Sequence, residues 1–258
     1  GARYIVARTR EAAGPGGDWR STINISLGGI AGPHDGSSLA EQALDELAAD
    51  ARVQIVVSAG NAGDGQRVHA QRAVSAAAPG DFFIDLPGGQ MQDSFVEFWL
   101  PDGGEAADAW TVTVHPPGQG AAAATVAAGQ VACLRQDGRA IASVVFARQV
   151  AQGLHGTMVL LALAPTAAPP VPIGGTPRAT APPGVWQVQL QSRAAQPAEV
   201  HAWVERDDVL VGERQPQRTR FALDARQPRD AQYVNDRSTV STLAHGQRVV
   251  AAGATVQA

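Results

Sequence analysis

Thr22-Ile23-Asn24-Ile25-Ser26-Leu27-Gly28-Gly29 and, further along, Val53-Gln54-Ile55-Val56-Val57-Ser58-Ala59-Gly60-Asn61-Ala62-Gly63 decide the reading of the fold. Both are β-branched runs closed by glycines, the pattern of strands buried on both faces of a parallel sheet. Between them Ser37 or Ser38 can cap a helix, with Glu41 as capping-box partner of Ser38, and Leu39, Ala43, Leu44 and Leu47 form its apolar stripe. Strand, helix and strand make a right-handed βαβ unit. Ligands of such sheets gather at the carboxyl ends of the strands, which here are Ser26–Gly29 and Ser58–Gly63. Upstream, Tyr4, Ile5, Ala7 and Ala12 predict a short helix over Ala2–Ala13, stopped by Gly14-Pro15-Gly16-Gly17.

After Gly65 the period changes to strict alternation: Phe82, Ile84, Leu86; Trp110, Val112, Val114; Trp186, Val188, Leu190. With the runs at 95–100, 141–146, 157–164 and 200–204, about seven strands are predicted, arranged as an antiparallel β-sandwich. Pro165–Gly184, with seven prolines, reads as a long exposed loop. From Arg206 to Asp236 the chain is polar, and it returns to a buried-looking strand over Val249–Ala254 after a turn begun by Ser238 or Thr239. The expected fold class is therefore α/β: a partial parallel sheet with helices, interrupted by an inserted antiparallel β-sandwich. Its expected parts are 1–66 and 206–258 for the α/β portion and 67–205 for the insertion.

Composition excludes several classes. The 258 residues are 45% hydrophobic, enough for a core, and the 20 basic residues, all arginine, against 24 acidic ones leave a net charge of -4. No stretch is basic enough to predict a nucleic-acid partner. The longest apolar run, Met158–Ala164, is far shorter than the ~18 residues a membrane helix needs, so no membrane partner is expected. A single cysteine, Cys133, has no second thiol to pair with. Both ends read as cut, and the sequence is taken as an internal piece of a longer chain.

The pairing of Asn24–Gly29 with Val56–Gly63 resembles the substrate-binding strand and oxyanion-hole segment of the subtilisin-like serine proteases, the subtilases (peptidase family S8). Residues Gly32-Pro33-His34-Asp35-Gly36-Ser37-Ser38-Leu39 look like the Csp-like germination-protease branch, which carries an inserted β-domain at this place. Gly184-Val185-Trp186 and His201–Asp208 resemble the end of that insert, and Ser241–Ala254 resembles the family strand Ile-Thr-Val-Gly-Ala. The family's triad runs Asp, His, Ser along the chain. The resemblance thus implies that the partial parallel sheet with helices is subtilisin-like, with an aspartate and a histidine before Gly1 and a serine beyond Ala258, and a secreted or extracytoplasmic enzyme.

The residue types suit that chemistry. An extended peptide is held by strand addition to an edge with free backbone groups and small side chains, which Ser26, Leu27, Gly28 and Gly29 offer. Ala59 and Gly60 provide one wall of a side-chain slot, which the family implies is the primary specificity pocket. Asn61 offers an amide donor for the anionic oxygen of a tetrahedral intermediate; a turn asparagine is the plainer reading. His155-Gly156-Thr157-Met158-Val159 imitates the family's histidine motif but follows Asn61, and a strand inside the insert accounts for it better. Ser26, His34 and Asp35 can be imagined as a triad, yet proximity in sequence does not make one. His34, His69, His115, His201 and His245 lack zinc-site spacing and read as surface or satisfied polar residues, and Glu205, Asp207 and Asp208 read as a solvated turn rather than a cation site. No metal and no cofactor is expected.

The function expected is that of a serine endopeptidase fragment acting on polypeptide substrates, inactive alone because its triad lies outside. The alternative is a subtilase-like pseudoprotease or protein-binding scaffold. A third reading makes the β-rich part an adhesion module presenting Trp99, Trp110, Trp186 and Trp203, with core packing as the plainer role of those tryptophans. Oligomeric state is open.

Overall fold

The computed structural model describes residues 1–63, 65–101, 107–118, 123–148, 156–167, 179–205, 218–225 and 232–253. In chain order its elements are α1 (Ala2–Ala13), β1 (Ser21–Ile25), α2 (Leu39–Ala48), β2 (Val53–Ser58), β3 (His69–Val74), β4 (Gly80–Leu86), β5 (Ser94–Leu100) and β6 (Trp110–His115). There follow β7 (Ala124–Ala127), β8 (Val131–Gln136), β9 (Arg139–Ala147), β10 (Thr157–Leu163), β11 (Gly184–Ser192), β12 (Ala198–Val204), β13 (Arg220–Phe221), β14 (Val234–Asn235) and β15 (Val250–Ala252). A 3-10 turn over Thr242–His245 precedes β15.

The α/β class is overturned. Among the described residues parallel pairing is confined to one three-stranded sheet, β1-β2-β15, whereas the antiparallel sheets have seven strands (β14-β3-β12-β5-β10-β9-β8) and five (β13-β4-β11-β6-β7). The molecule is mostly β, with two α-helices among the described residues, and it is not a subtilisin-like parallel α/β fold. The βαβ unit exists, but it is the minor part, and the period-2 pattern of the longer remainder sets the class.

Burial corrects the strand and helix faces too. β1 alternates, with Ile23 buried and Thr22 and Asn24 exposed, and β2 exposes Gln54, so this sheet is not covered on both faces. Both helices feed one cluster with Ile23, Val53, Ile55 and Val57: α1 through Val6 and α2 through Leu44, beside Trp19. Tyr4, Ile5 and Ala7, expected inward, are exposed, because the buried stripe of α1 runs through Ala2, Val6 and Ala13. Leu39 is 83% exposed at the first helical position of α2, ahead of the face that Leu44 buries. The capping box is formed: the Ser38 hydroxyl accepts from the Glu41 N–H, and the Glu41 carboxylate accepts from the Ser38 N–H at 3.0 Å. β15, expected buried, is exposed throughout, at one edge of its sheet.

The two antiparallel sheets share one large core. The alternating triads at 82–86, 110–114 and 186–190 all point into it, and Phe82 of one sheet meets Phe98 of the other edge-on at 5.3 Å. Ten strands, not seven, lie between His69 and Val204 among the described residues. β3, β7 and β8 were missed: β3 is interrupted by Gln71 and Arg72, β7 is short, and β8 is a mostly exposed edge strand. His155, Arg206–Asp208 and most of the proline-rich loop lie outside the described residues.

Tyr233 closes one end of this core. Its hydroxyl accepts the Phe83 N–H at 2.9 Å and donates to the Ala222 carbonyl at 2.6 Å, and burial pushes its pKa up to about 12. The Arg72 guanidinium lies 4.1 Å from the Tyr233 ring and pairs with Asp224. Tyr233→Phe leaves a backbone donor and acceptor without that partner. We expect a loss of about 1–3 kcal/mol, seen in urea titration as a lower midpoint with an unchanged slope; an unchanged midpoint would show that the hydroxyl contributes nothing.

Candidate functional site

β1 and β2 are parallel, so the segments that leave them, Ser26–Gly29 and Ala59–Asn61, emerge at the same end. Ser26 to Gly29 are exposed, Leu27 by 71%. β1 pairs only with β2 among the described residues and leaves its other edge open. The Ser58 hydroxyl donates to the Leu27 carbonyl at 3.1 Å and ties the two segments. A Cβ on Gly28 would lie 3.3 Å from Gly60 Cα, so the two backbones pass each other with no side chain between them. Gly60 has φ +86, a conformation that glycine adopts at no steric cost.

The third segment of the site comes from far along the chain. The Ser241 N–H donates to the Ala59 carbonyl at 2.7 Å, and its hydroxyl accepts the Gly29 N–H at 3.3 Å. The Thr242 N–H donates to the Gly29 carbonyl at 2.8 Å, and the Ala59 N–H to the Ala252 carbonyl at 2.8 Å. Ser241, fully buried, therefore holds both candidate segments at once. Asn61 is exposed, and its carbonyl accepts from the Gln66 amide at 2.7 Å. Its own side-chain amide has no partner among the described residues.

The imagined triad is not assembled. The Ser26 hydroxyl accepts from the Asn24 amide at 2.9 Å, while Asp35 is engaged by the Ser37 N–H and hydroxyl. His34 is turned the other way: its Nε2 donates to the Ile30 carbonyl at 2.8 Å, and its ring stacks on Trp203 with centroids 4.1 Å apart. Burial lowers the His34 pKa to about 4, against the backbone bond to Ile30, so the ring is neutral at pH 7.

This stack joins the parallel and antiparallel sheets. Register places Trp99 opposite His201, and Trp203 opposite both Glu97 and His69. All point away from the shared core that Val96, Phe98, Leu100, Val200, Ala202 and Val204 fill. Trp99 and Trp203 are nevertheless buried, beneath Ile30, Ala62 and Val68. The Glu97 carboxylate accepts the Gly32 N–H at 2.7 Å and the Trp99 indole N–H at 2.9 Å. Of the four tryptophans weighed together, Trp110 and Trp186 belong to the shared core, whereas Trp99 and Trp203 belong to the junction. Ser241, Thr242, Glu97 and the histidines around Trp203 were missed as a group. The signal was present in parity, because His201 and Trp203 alternate with Val200, Ala202 and Val204.

No family model and no curated protein sequence matches the chain. A solved structure of the Clostridium perfringens CspB protease does, with a TM-score of 0.57 at 17% identity, covering 86% of this chain and 40% of that one. At this identity the likeness is one of fold. It covers too much of this chain to be confined to either the parallel or the antiparallel sheets, and the chain spans less than half the length of that protease.

Gly32 is where the site loop and the 3-10 turn come closest: its φ is +125, and a Cβ would lie 2.6 Å from Thr242 Cγ2. Gly32→Ala should cost about 1–3 kcal/mol, read as a drop in melting temperature of about 2–4 °C per kcal/mol. Adding Thr242→Ser removes the methyl, keeps the hydroxyl that donates to the Ala31 carbonyl, and should restore part of the loss. Failure of the double variant to recover anything would mean that the contact does not limit this position.

Proposed function

We propose that this chain supplies the substrate-binding part of a subtilase-type serine endopeptidase, whose serine, histidine and aspartate belong to segments outside this sequence. In this reading residues 1–66 and 206–258 carry the peptide-binding portion and 67–205 the inserted one. The observation that carries it is a convergence: the unpaired outer edge of β1 running on into the exposed stretch Ser26–Gly28, a side-chain-free crossing at Gly28 and Gly60, and an exposed Asn61 with a free amide, all at one end of the parallel strands. The fold shared with part of a protease supports the same reading.

A polypeptide substrate adds as a strand along Ser26–Gly29, and its side chain enters beside Ala59 and Gly60. The serine Oγ attacks the scissile carbonyl carbon, its proton passes to the histidine, and negative charge gathers on the carbonyl oxygen. Asn61 donates a hydrogen bond to that oxygen, an interaction that exists in full only once the charge has formed.

Asn61→Leu in the whole protein should therefore lower kcat far more than it changes KM. The size expected is about 100- to 1000-fold, a magnitude that belongs to subtilisin's own donor rather than to this chain. Equal kcat in variant and parent removes Asn61 from the mechanism. A fluorophosphonate probe separates the two functional readings: labelling of the whole protein supports the peptidase, and peptide binding without labelling supports a pseudoprotease scaffold.

A further inference from the structure

Four of the six histidines meet at the junction, and the proposed chemistry uses none of them. Trp203 is stacked by His34 and lies 5.0 Å from His69 and 5.5 Å from His201, and His245 meets His34 edge-on at 4.9 Å. His69 Nδ1 is 3.0 Å from the Asn235 side-chain oxygen, which also accepts the Arg237 N–H. On the other side of the ring, His69 Nε2 is 3.1 Å from His201 Nδ1, and His201 Nε2 is 3.0 Å from the Glu199 carboxylate. The His69–His201 contact has room for one proton. Protonating both rings fully sets two N–H groups head to head.

His34 is equally intolerant of a second proton. Its Nε2 is occupied by the Ile30 carbonyl, and its Nδ1 is buried without a partner. A proton there creates a buried N–H with no acceptor and a charge removed from water. The Trp203 face offsets part of that cost. The groups that act on His34 through charge are His245, His69 and His201, and those that act on His69 are His201 and Glu199. From β5, Glu97 is bonded to the Gly32 N–H and the Trp99 indole.

We propose that His34 is a positioning residue that latches the Ser26–Gly29 edge, through the loop following it, onto the antiparallel sheets, and that protonation of the buried histidines releases this latch in mildly acidic solution. The inference rests on reading that edge as the peptide site. Burial holds both His34 and His69 down to about 4, so both are neutral in the latched state at pH 7. Released to solvent, they return to the ordinary value of about 6.5. The latched state is then fully favoured above pH 6.5 and loses ground as pH falls towards 4, by about 30-fold per histidine at pH 5.

Amide hydrogen exchange and histidine ring NMR on the full chain at pH 7 and pH 5 test this. After correction for intrinsic rates, protection of the Gly32 amide should fall at least about tenfold relative to Val188 in the shared core. His34→Phe keeps a ring on Trp203 but takes no proton, and should remove the His34 share of the acid loss, leaving a smaller fall in protection between pH 7 and pH 5 than in the unaltered chain. Glu97→Gln keeps an oxygen for the Gly32 N–H and removes the carboxylate, and should leave the acid release in place. Unchanged Gly32 protection between the two pH values, an acid loss in folded His34→Phe as large as in the unaltered chain, or release abolished by Glu97→Gln each overturns the proposal. Should His34→Phe not fold, the unaltered chain decides: a His34 ring that titrates with no loss at Gly32 overturns the latch. Peptide binding at pH 7 is scored separately, so acid release without binding removes the peptide-site reading and keeps the latch.

Discussion

A sheet that carries tryptophans on its outer face as well as an apolar inner face must be covered on both sides, and in this protein the second cover is the piece that carries the candidate site. The inner face of the seven-stranded sheet is filled by its own partner sheet. On the outer face Trp99 and Trp203 still require removal from water. Each is worth on the order of 200 Å², or roughly 5 kcal/mol at 25 cal/mol/Å², large beside a typical total stability of about 5–15 kcal/mol. Ile30, Ala62 and Val68 provide that cover, which fixes where the ends of β1 and β2 stand.

From that junction the order passes through backbone rather than side chains. Glu97 fixes Gly32, Thr242 and Ser241 fix Gly29, and Ser241 fixes Ala59, so two segments from opposite sides of a helix are tied by a third from the far end of the chain. Glycines at 28, 32 and 60 make the approaches possible, because any Cβ at Gly28 or Gly32 would press on its neighbour. What stays outside this scaffold is the unpaired outer edge of β1 with the exposed stretch Ser26–Gly28, and the free Asn61 amide, the groups a ligand can still reach.

Acid sensitivity is built into the same junction. Aromatic and imidazole rings of similar shape pack against one another there, but only imidazole changes charge near neutral pH. A phenylalanine in place of His34 would serve the packing alone. The unpartnered Nδ1 of His34 and the single-proton contact of His69 with His201 make the neutral forms the ones that fit.

Local signals in the sequence were read correctly where the physics is local. The capping box of α2, the alternation at 82–86, 110–114 and 186–190, and the glycine-closed ends of β1 and β2 each depend on neighbours within a few residues. The α/β class failed because two apolar runs were weighed above the longer alternating remainder, although Thr22, Asn24 and Gln54 already marked an uncovered face. β8 could not be read from apolarity, since edge strands are held by backbone bonds that any sequence can make, and β15 was read as a strand over Val249–Ala254 but as a buried one. By itself the sequence determined which residues alternate, which turns need glycine and where helix α2 begins. Only the tertiary structure decided that Ser241 binds both site segments, that Trp203 faces outward yet is buried, and that four histidines share one place. Those contacts join residues more than a hundred positions apart, and no local preference records them.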